Sequence, residues 1–149
     1  MSEVKIDVGV AVSLYAEKVK GFWHKVLYYC KSMFFDQYYV PIGKEKLEEI
    51  AKEWRKILEN LHYVSEVFDC DDYASYFKAW ATANYNVNAF AICLGEVRFL
   101  DVKGYHAWNG VLVNDNGKVK VIYFEPQLGE FFEKETTDKW EYKLWMVIV

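Results

Sequence analysis

The sequence predicts an α+β domain in which N-terminal helices pack on a small antiparallel β-sheet. Two observations support this prediction. Apolar residues recur at helical spacing in the first part of the 149-residue chain, whereas after Asn84 short β-branched or aromatic runs are divided by Gly, Asn and Asp. Helices followed by antiparallel strands are typical of the α+β class. We expect one domain over residues 1–149, with a helical part of about 1–84 and a sheet part of about 85–149.

Three helical segments are expected in the first part. Residues 44–60 carry apolar side chains at the i, i+3, i+4, i+7 spacing of an amphipathic helix, and charged residues cover the opposite face. Residues 11–35 are also expected to be helical, although their many aromatic residues obscure the periodicity. Asp69 is a good N-cap, and Asp72 three residues later suits a capping box. A further helix is therefore expected to begin at Asp69.

Four strands are expected in the second part, at residues 87–94, 104–113, 118–124 and 140–149. The segment Asn114-Asp115-Asn116-Gly117 between two of them predicts a hairpin. A four-residue loop would place His106 opposite Glu125, and a two-residue loop would place it opposite Gln127. Because side chains on a strand alternate between faces, all three residues share one face in either register.

Composition and charge exclude several classes of protein. The net charge is −4 and the 18 basic residues are scattered, so no nucleic-acid partner is expected. The apolar stretch at residues 8–16 is too short to span a bilayer and lacks the flanks of a signal peptide, so no membrane partner is expected. Three cysteines without a C-x-x-C pair make a disulfide framework or a zinc knuckle improbable. We therefore expect a soluble, cytoplasmic protein.

Three segments carry chemistry-bearing residues, namely FDCDDYA at 68–74, YHAWN at 105–109 and FEPQ at 124–127. A thiol nucleophile needs a stabilised thiolate, an adjacent base and a group that orients the base. Cys70 lies in the first turn of a predicted helix, where free backbone N–H groups favour negative charge and can also hold an oxyanion. His106 and Glu125 supply a base and an orienting group. The negative charges next to Cys70 oppose this arrangement, so an imidazolium must outweigh them.

The order of these motifs resembles the transglutaminase-like and papain-like cysteine protease superfamily. The motifs DCDDYA, HAWN and EPQ are most similar to those of the cysteine-protease domain of fungal mushroom agglutinins and of uncharacterised microbial and phage relatives. The resemblance covers about residues 68–130. The resemblance implies a papain/transglutaminase-like fold. It also implies that Cys70 is the nucleophile, that His106 is the general base and acid, and that Glu125 orients the imidazole.

Three further residues are expected to support such a site. The resemblance implies a Gln shortly before the nucleophile, but the thirty positions before Cys70 contain none, so Tyr63 or a backbone amide would take its place in the oxyanion hole. Gln127 is the alternative orienting group for His106. Trp108 is expected to be a lid or core aromatic residue.

The function expected from these residues is cysteine-dependent acyl transfer. A hydrolase of this kind, a thiol peptidase or amidase, would act on a peptide or protein substrate through a thioester intermediate. Release of the acyl group to an amine would make it a transglutaminase. The alternative is a non-catalytic binding module on the same fold, in which the Asp-rich turn and exposed aromatic residues recruit a ligand.

No cofactor is expected, although two metal sites are conceivable from the residue types. The agglutinin resemblance suggests calcium at Asp69, Asp71 and Asp72, whose oxygen atoms are suitable ligands. Helix capping explains two of these three residues without a metal. Zinc bound by Cys70, His106 and Glu125 is the other possibility, but these residue types in this order suit a triad better.

Overall fold

A computed structural model describes residues 4–137 and 139–149. In these residues it contains four helices and a five-stranded sheet, together with a small two-stranded ladder. The helices are α1 (Val8–Lys18), α2 (Phe22–Lys31), α3 (Lys44–Leu58) and α4 (Cys70–Tyr85). The strands are β1 (Ile6–Asp7), β2 (Tyr38–Tyr39), β3 (Phe90–Phe99), β4 (Val102–Asp115), β5 (Lys118–Glu125), β6 (Glu130–Phe132) and β7 (Trp140–Ile148).

The amphipathic helix and the Asp69 N-cap are confirmed. Helix α3 buries the apolar stripe that the sequence shows, and α4 begins directly after Asp69, which forms a capping box with Asp72. The expectation of one helical segment over residues 11–35 is wrong, because α1 and α2 are separated at Gly21. This glycine has φ +92°, a backbone conformation that a helix cannot continue through.

The sheet is antiparallel throughout, with strand order β6-β5-β4-β3-β7. All four expected strands are present, and the α+β prediction is confirmed. The sequence analysis missed β6 and the ladder of β1 with β2. Each of these elements has only two or three residues, so side-chain alternation carries almost no signal there.

The hairpin between β4 and β5 has the two-residue loop. Asp115 pairs with Lys118, and Asn116 and Gly117 both have positive φ, as a type I′ turn requires. The Gly117 N–H donates to the Asn114 side chain at 2.8 Å. Continued along the strands, this register would pair His106 with residue 127. However, β5 ends at Glu125, so the chain leaves the sheet before it reaches residue 127.

The core forms where α3 and α4 cover the sheet. The Phe77 ring on α4 stacks on Phe124 of β5 with centroids 4.3 Å apart and meets Phe90 of β3 edge-on at 5.1 Å. The Asn109 amide is fully buried and donates to the carbonyl groups of Ala74 and Ala91, so it ties α4 to β3. Each buried aromatic side chain of this kind contributes about 2 kcal/mol of transfer free energy.

Within the described part of the chain, none of the helices has the length and apolar character needed to cross a bilayer.

Candidate functional site

His106 lies where strand β4 changes from exposed to buried. Residues 102–105 are exposed and residues 107–113 are buried. The imidazole Nε2 and the Glu125 carboxylate Oε2 are 2.7 Å apart, and both side chains are largely shielded from solvent. Tyr142 on β7 donates its hydroxyl to the same Glu125 oxygen at 3.1 Å. The imidazole is therefore held by three strands at one edge of the core.

The turn that follows Glu125 is anchored by helix α3. Trp54 donates its indole N–H to the Pro126 carbonyl at 2.7 Å, and Arg55 donates to the Gly129 carbonyl at 2.6 Å. The Gln127 backbone N–H donates to the other oxygen of Glu125 at 3.3 Å. Because α3 fixes this turn, the carboxylate of Glu125 stays aimed at His106.

Cys70 contributes from the first turn of α4, and its side chain and the His106 ring line the same small depression. The structure therefore brings together the three residues that the sequence analysis placed in one site, namely Cys70, His106 and Glu125. The orienting group is the side chain of Glu125, whereas Gln127 contributes through its backbone. The two-residue hairpin loop alone would have favoured Gln127, but β5 ends too early for that pairing.

The imidazole of His106 is protonated at neutral pH. Burial lowers the pKa of His106, but the interactions of the imidazole with Cys70 and Glu125 outweigh burial and raise this pKa to about 9. Burial and the neighbouring Glu125 also raise the pKa of Tyr142, so its hydroxyl keeps the proton that it donates. His106 and Glu125 thus form a shielded ion pair at neutral pH.

An open cleft of about 410 Å³ adjoins this pair. Most of its wall is apolar and aromatic, and its polar lining residues include the paired His106 and Glu125. We call it the aromatic cleft; it is lined by Val97, Phe99, His106, Glu125, Gln127, Leu128, Glu130, Phe131, Phe132, Trp140 and Tyr142. A smaller depression of about 290 Å³ lies on the other side of His106 and is lined partly by Cys70, Tyr105 and Trp145.

Of the two aromatic supporting residues, Trp108 has one of its two expected roles, whereas Tyr63 lies away from the site. Tyr63 is 58% exposed and lines neither the aromatic cleft nor the depression beside Cys70, so the structure lends no support to its predicted oxyanion role. Trp108 is a fully buried core residue, and its ring stacks beside the His106 ring at 6.1 Å. Sequence reasoning missed Trp140 and Tyr142, which reach the site because β7 pairs with β3. No local motif marks that long-range pairing.

The acidic residues around Cys70 form a hydrogen-bonded group of their own. A hydrogen bond between the Asp69 and Asp71 carboxyl groups lowers the pKa of Asp69 and raises the pKa of Asp71. Asp72 accepts from the Asp69 backbone N–H at 3.3 Å. Polar atoms of Asp69, Cys70 and Asp71 lie within 4.8 Å of one another. Capping of α4 accounts for Asp69 and Asp72.

A family model described as "Agglutinin C-terminal" matches residues 39–131. Among solved structures, the chain resembles one titled "PSL1a-E64 complex", at 23% identity and a TM-score of 0.68. It also resembles the Polyporus squamosus lectin bound to the human-type influenza-binding epitope Neu5Aca2-6Galb1-4GlcNAc, at 24% identity and a TM-score of 0.63. Each likeness covers 97% of this chain but 50% and 49% of the other, so the chain spans about half their length. No curated protein matches.

These findings correct the functional assignment from sequence. The prediction of a cysteine protease superfamily, and with it a thiol peptidase, amidase or other hydrolase, is wrong, because the matching family is an agglutinin family and the structural likeness includes a lectin. The papain/transglutaminase-like fold is not confirmed. The physical reason for the error lies in the residue types: a thiol, an imidazole and a carboxylate in hydrogen-bonding order can hold a ligand as well as move a proton.

The residues quoted for the resemblance, from Phe68 to Gln127, all lie inside the matched range, as do helices α3 and α4. The match covers well over half of the sequence, and it includes the turn that aims Glu125 at His106. The chain belongs to the agglutinin C-terminal family.

Proposed function

We propose that this chain is a non-catalytic, lectin-like binding module whose ligand lies in the aromatic cleft. The observation that carries the proposal is the juxtaposition of an open, mostly apolar and aromatic wall with a shielded imidazolium–carboxylate pair. Binding sites for small ligands commonly combine an apolar wall with a few fixed polar groups that set orientation. The buried pair supplies that orientation without a long, flexible side chain.

A glycan fits this combination better than a peptide. A pyranose ring has a face of C–H groups that can lie on an aromatic ring, and a rim of hydroxyl groups that need hydrogen-bond partners. Phe99 and Trp140 offer the aromatic surface, and Glu125, Gln127 and Glu130 offer polar atoms. The Polyporus squamosus lectin, which resembles this chain, is bound to a sialylated trisaccharide. We therefore propose a glycan as the partner in place of the peptide substrate expected from sequence.

The experiment is a calorimetric titration of the chain with Neu5Aca2-6Galb1-4GlcNAc, the trisaccharide held by that lectin. We expect saturable binding that Phe99→Ala weakens about tenfold, because the variant removes one aromatic contact. The matched control is Phe35→Ala, since Phe35 is also exposed but lies outside the cleft. The control variant should bind like the natural chain.

Two results would contradict the proposal. One is the absence of binding by the trisaccharide and by a panel of neutral and sialylated glycans. The other is binding that Phe99→Ala and Phe35→Ala weaken equally, which would place the ligand elsewhere. The proposal uses no metal or cofactor, and it keeps a single domain and a cytoplasmic location as predictions.

A further inference from the structure

Helix α2 presents an apolar face to solvent. Phe22 and Trp23 are 72% and 78% exposed, and Tyr29 is 61% exposed. Val26 lies between them on the same side of the helix, one turn after Phe22. On the opposite side, Tyr28 is completely buried against the rest of the domain. The helix is therefore apolar both where it packs on the domain and where it faces outward.

Helix α3 shows what an ordinary surface helix of this chain looks like. It buries Leu47, Ile50 and Trp54, and its outward positions are lysines and glutamates. Such a distribution is the usual one for a helix that packs one face on a core. The outward face of α2 departs from it, with adjacent aromatic side chains that together form an exposed apolar patch.

The charged residues within α2 and in its immediate flanks have one sign. Residues 18–35 contain four lysines and no Asp or Glu, although the whole chain has a net charge of −4. Lys20, Lys25 and Lys31 are exposed, and none has an ion-pair partner among residues 4–137 and 139–149. Lys25 and Lys31 lie on either side of the exposed apolar face. The shorter arc between them, about 120° around the helix axis, contains the side that packs on the domain.

We propose that α2 lies flat on an anionic lipid surface, with Phe22, Trp23, Val26 and Tyr29 in the interfacial layer and the three lysines at the headgroups. Helices that bind in this way combine Trp and Phe on one face with lysines around it. Aromatic rings with a polar edge favour the interface, and lysine stems extend along apolar surface toward anionic groups. A protein partner is less suited, because lysine is depleted at protein interfaces.

This surface is distinct from the aromatic cleft and does not span the bilayer. The sequence analysis expected no membrane partner because it considered spanning segments, and α2 has ten residues, far fewer than the roughly twenty needed to cross. The exposed apolar face could not be read from the sequence, since the aromatic residues of this segment suit core packing equally well.

The test is co-sedimentation of the chain with vesicles of phosphatidylcholine alone and of phosphatidylcholine mixed with phosphatidylserine. We expect binding to the mixed vesicles that falls with added salt. The variant Phe22→Ser/Trp23→Ser should lower the partition coefficient at least about thirtyfold. The variant Lys25→Gln/Lys31→Gln should lower it by roughly the same factor for mixed vesicles and leave binding to phosphatidylcholine unchanged.

Matched controls keep the result specific. Leu100→Ser/Val102→Ser removes two comparably exposed apolar side chains at the turn between β3 and β4, and Lys52→Gln/Lys56→Gln removes two lysines of α3. Both should bind vesicles like the natural chain. The proposal is overturned if mixed vesicles do not bind the chain, or if the control variants lose as much binding as the α2 variants. A dimer in light scattering that Phe22→Ser/Trp23→Ser dissociates, without vesicle binding, would assign the face to a second copy instead.

Discussion

The two halves of strand β4 differ in what lies beside them. From Asn109 onward the strand pairs with β5, up to Val111 it also pairs with β3, and its side chains are buried as far as Val113. From Val102 to His106 it pairs with β3, but β5 has already turned away after Glu125. The same strand is thus a core element at one end, whereas at the other end His106 borders the aromatic cleft.

The difference shows that the aromatic cleft arises where strand β5 ends before strand β4 does. Where β5 leaves the sheet, the open aromatic cleft lies beside β4, and the last residue of β5 aims its carboxylate at His106. His106 is the first partly shielded residue of β4 on this boundary, so its imidazole has the core on one side and the aromatic cleft on the other. The two halves of β4 should therefore differ in how strongly substitutions in them change the stability of the domain.

The largest difference should appear in stability. Leu112 is fully buried in the half that pairs with β5, so Leu112→Ala should lower the free energy of unfolding by about 3 kcal/mol through lost burial and a cavity. Tyr105 in the other half is 82% exposed, so Tyr105→Ala should change it by less than about 0.5 kcal/mol. Denaturant unfolding measures both. Similar losses for the two variants would mean that the two halves of β4 contribute equally to the free energy of unfolding.

The ion pair at the boundary should make stability depend on pH. The pKa of His106 is raised to about 9 in the folded chain, against about 6.5 in the unfolded chain. The stabilisation is therefore complete below about pH 6.5 and is lost as the pH rises through about 9, a decrease of about 3 kcal/mol.

Unfolding measured from pH 6 to 10 tests this dependence, with His106→Gln as the control. Glutamine can keep a hydrogen bond to Glu125 but does not titrate, so the variant should lack this part of the pH dependence. An unchanged pH profile in His106→Gln would show that other groups are responsible.

Two glycines offer a matched pair of substitutions on the same strand. A Cβ at Gly110 would lie 2.5 Å from the Tyr15 ring and 2.9 Å from the Cys93 sulfur, whereas a Cβ at Gly104 would meet nothing within 4 Å. Gly110→Ala should therefore destabilise the chain by about 2 kcal/mol through overpacking. Gly104→Ala should leave the melting temperature close to that of the natural chain. Equal tolerance at both positions would contradict close packing in the buried half.

The smallest expected effect concerns the hydroxyl of Tyr142. Tyr142→Phe removes one hydrogen bond to Glu125, which should cost about 1 kcal/mol of stability. It should also leave the aromatic wall of the cleft in place. Tyr29→Phe is the control, because Tyr29 is exposed on α2. Thermal unfolding of both variants gives the difference, and a larger loss in Tyr29→Phe would contradict the assigned role of Tyr142.

Local sequence signals predicted much of this architecture. The capping pair at Asp69 and Asp72, the apolar stripe of α3 and the Asn116-Gly117 turn are short-range features, and each leads to the structure it predicts. The shared face of His106 and Glu125 also followed from strand alternation alone. These features depend on residues that are close in sequence or on a period that a strand enforces.

The remaining parts of the site depend on long-range pairing. Trp140 and Tyr142 reach the cleft through the pairing of β7 with β3, and Trp54 fixes the turn at Pro126 from a helix more than seventy residues away. The function was assigned wrongly for a related reason. The order of Cys70, His106 and Glu125 in the sequence predicts that the three side chains form a cluster. Such a cluster does not by itself show that the protein catalyses a reaction.

The most direct test of the account is a nuclear magnetic resonance titration of the chain with Neu5Aca2-6Galb1-4GlcNAc, which the Polyporus squamosus lectin holds. The account predicts that the indole N–H signal of Trp140 in the aromatic cleft shifts with saturation, that the signal of Trp23 on α2 stays in place, and that the signals of the trisaccharide itself show binding without any new product. A shift at Trp23 without one at Trp140, or the appearance of a cleaved saccharide, would contradict a non-catalytic binding module whose ligand lies beside His106.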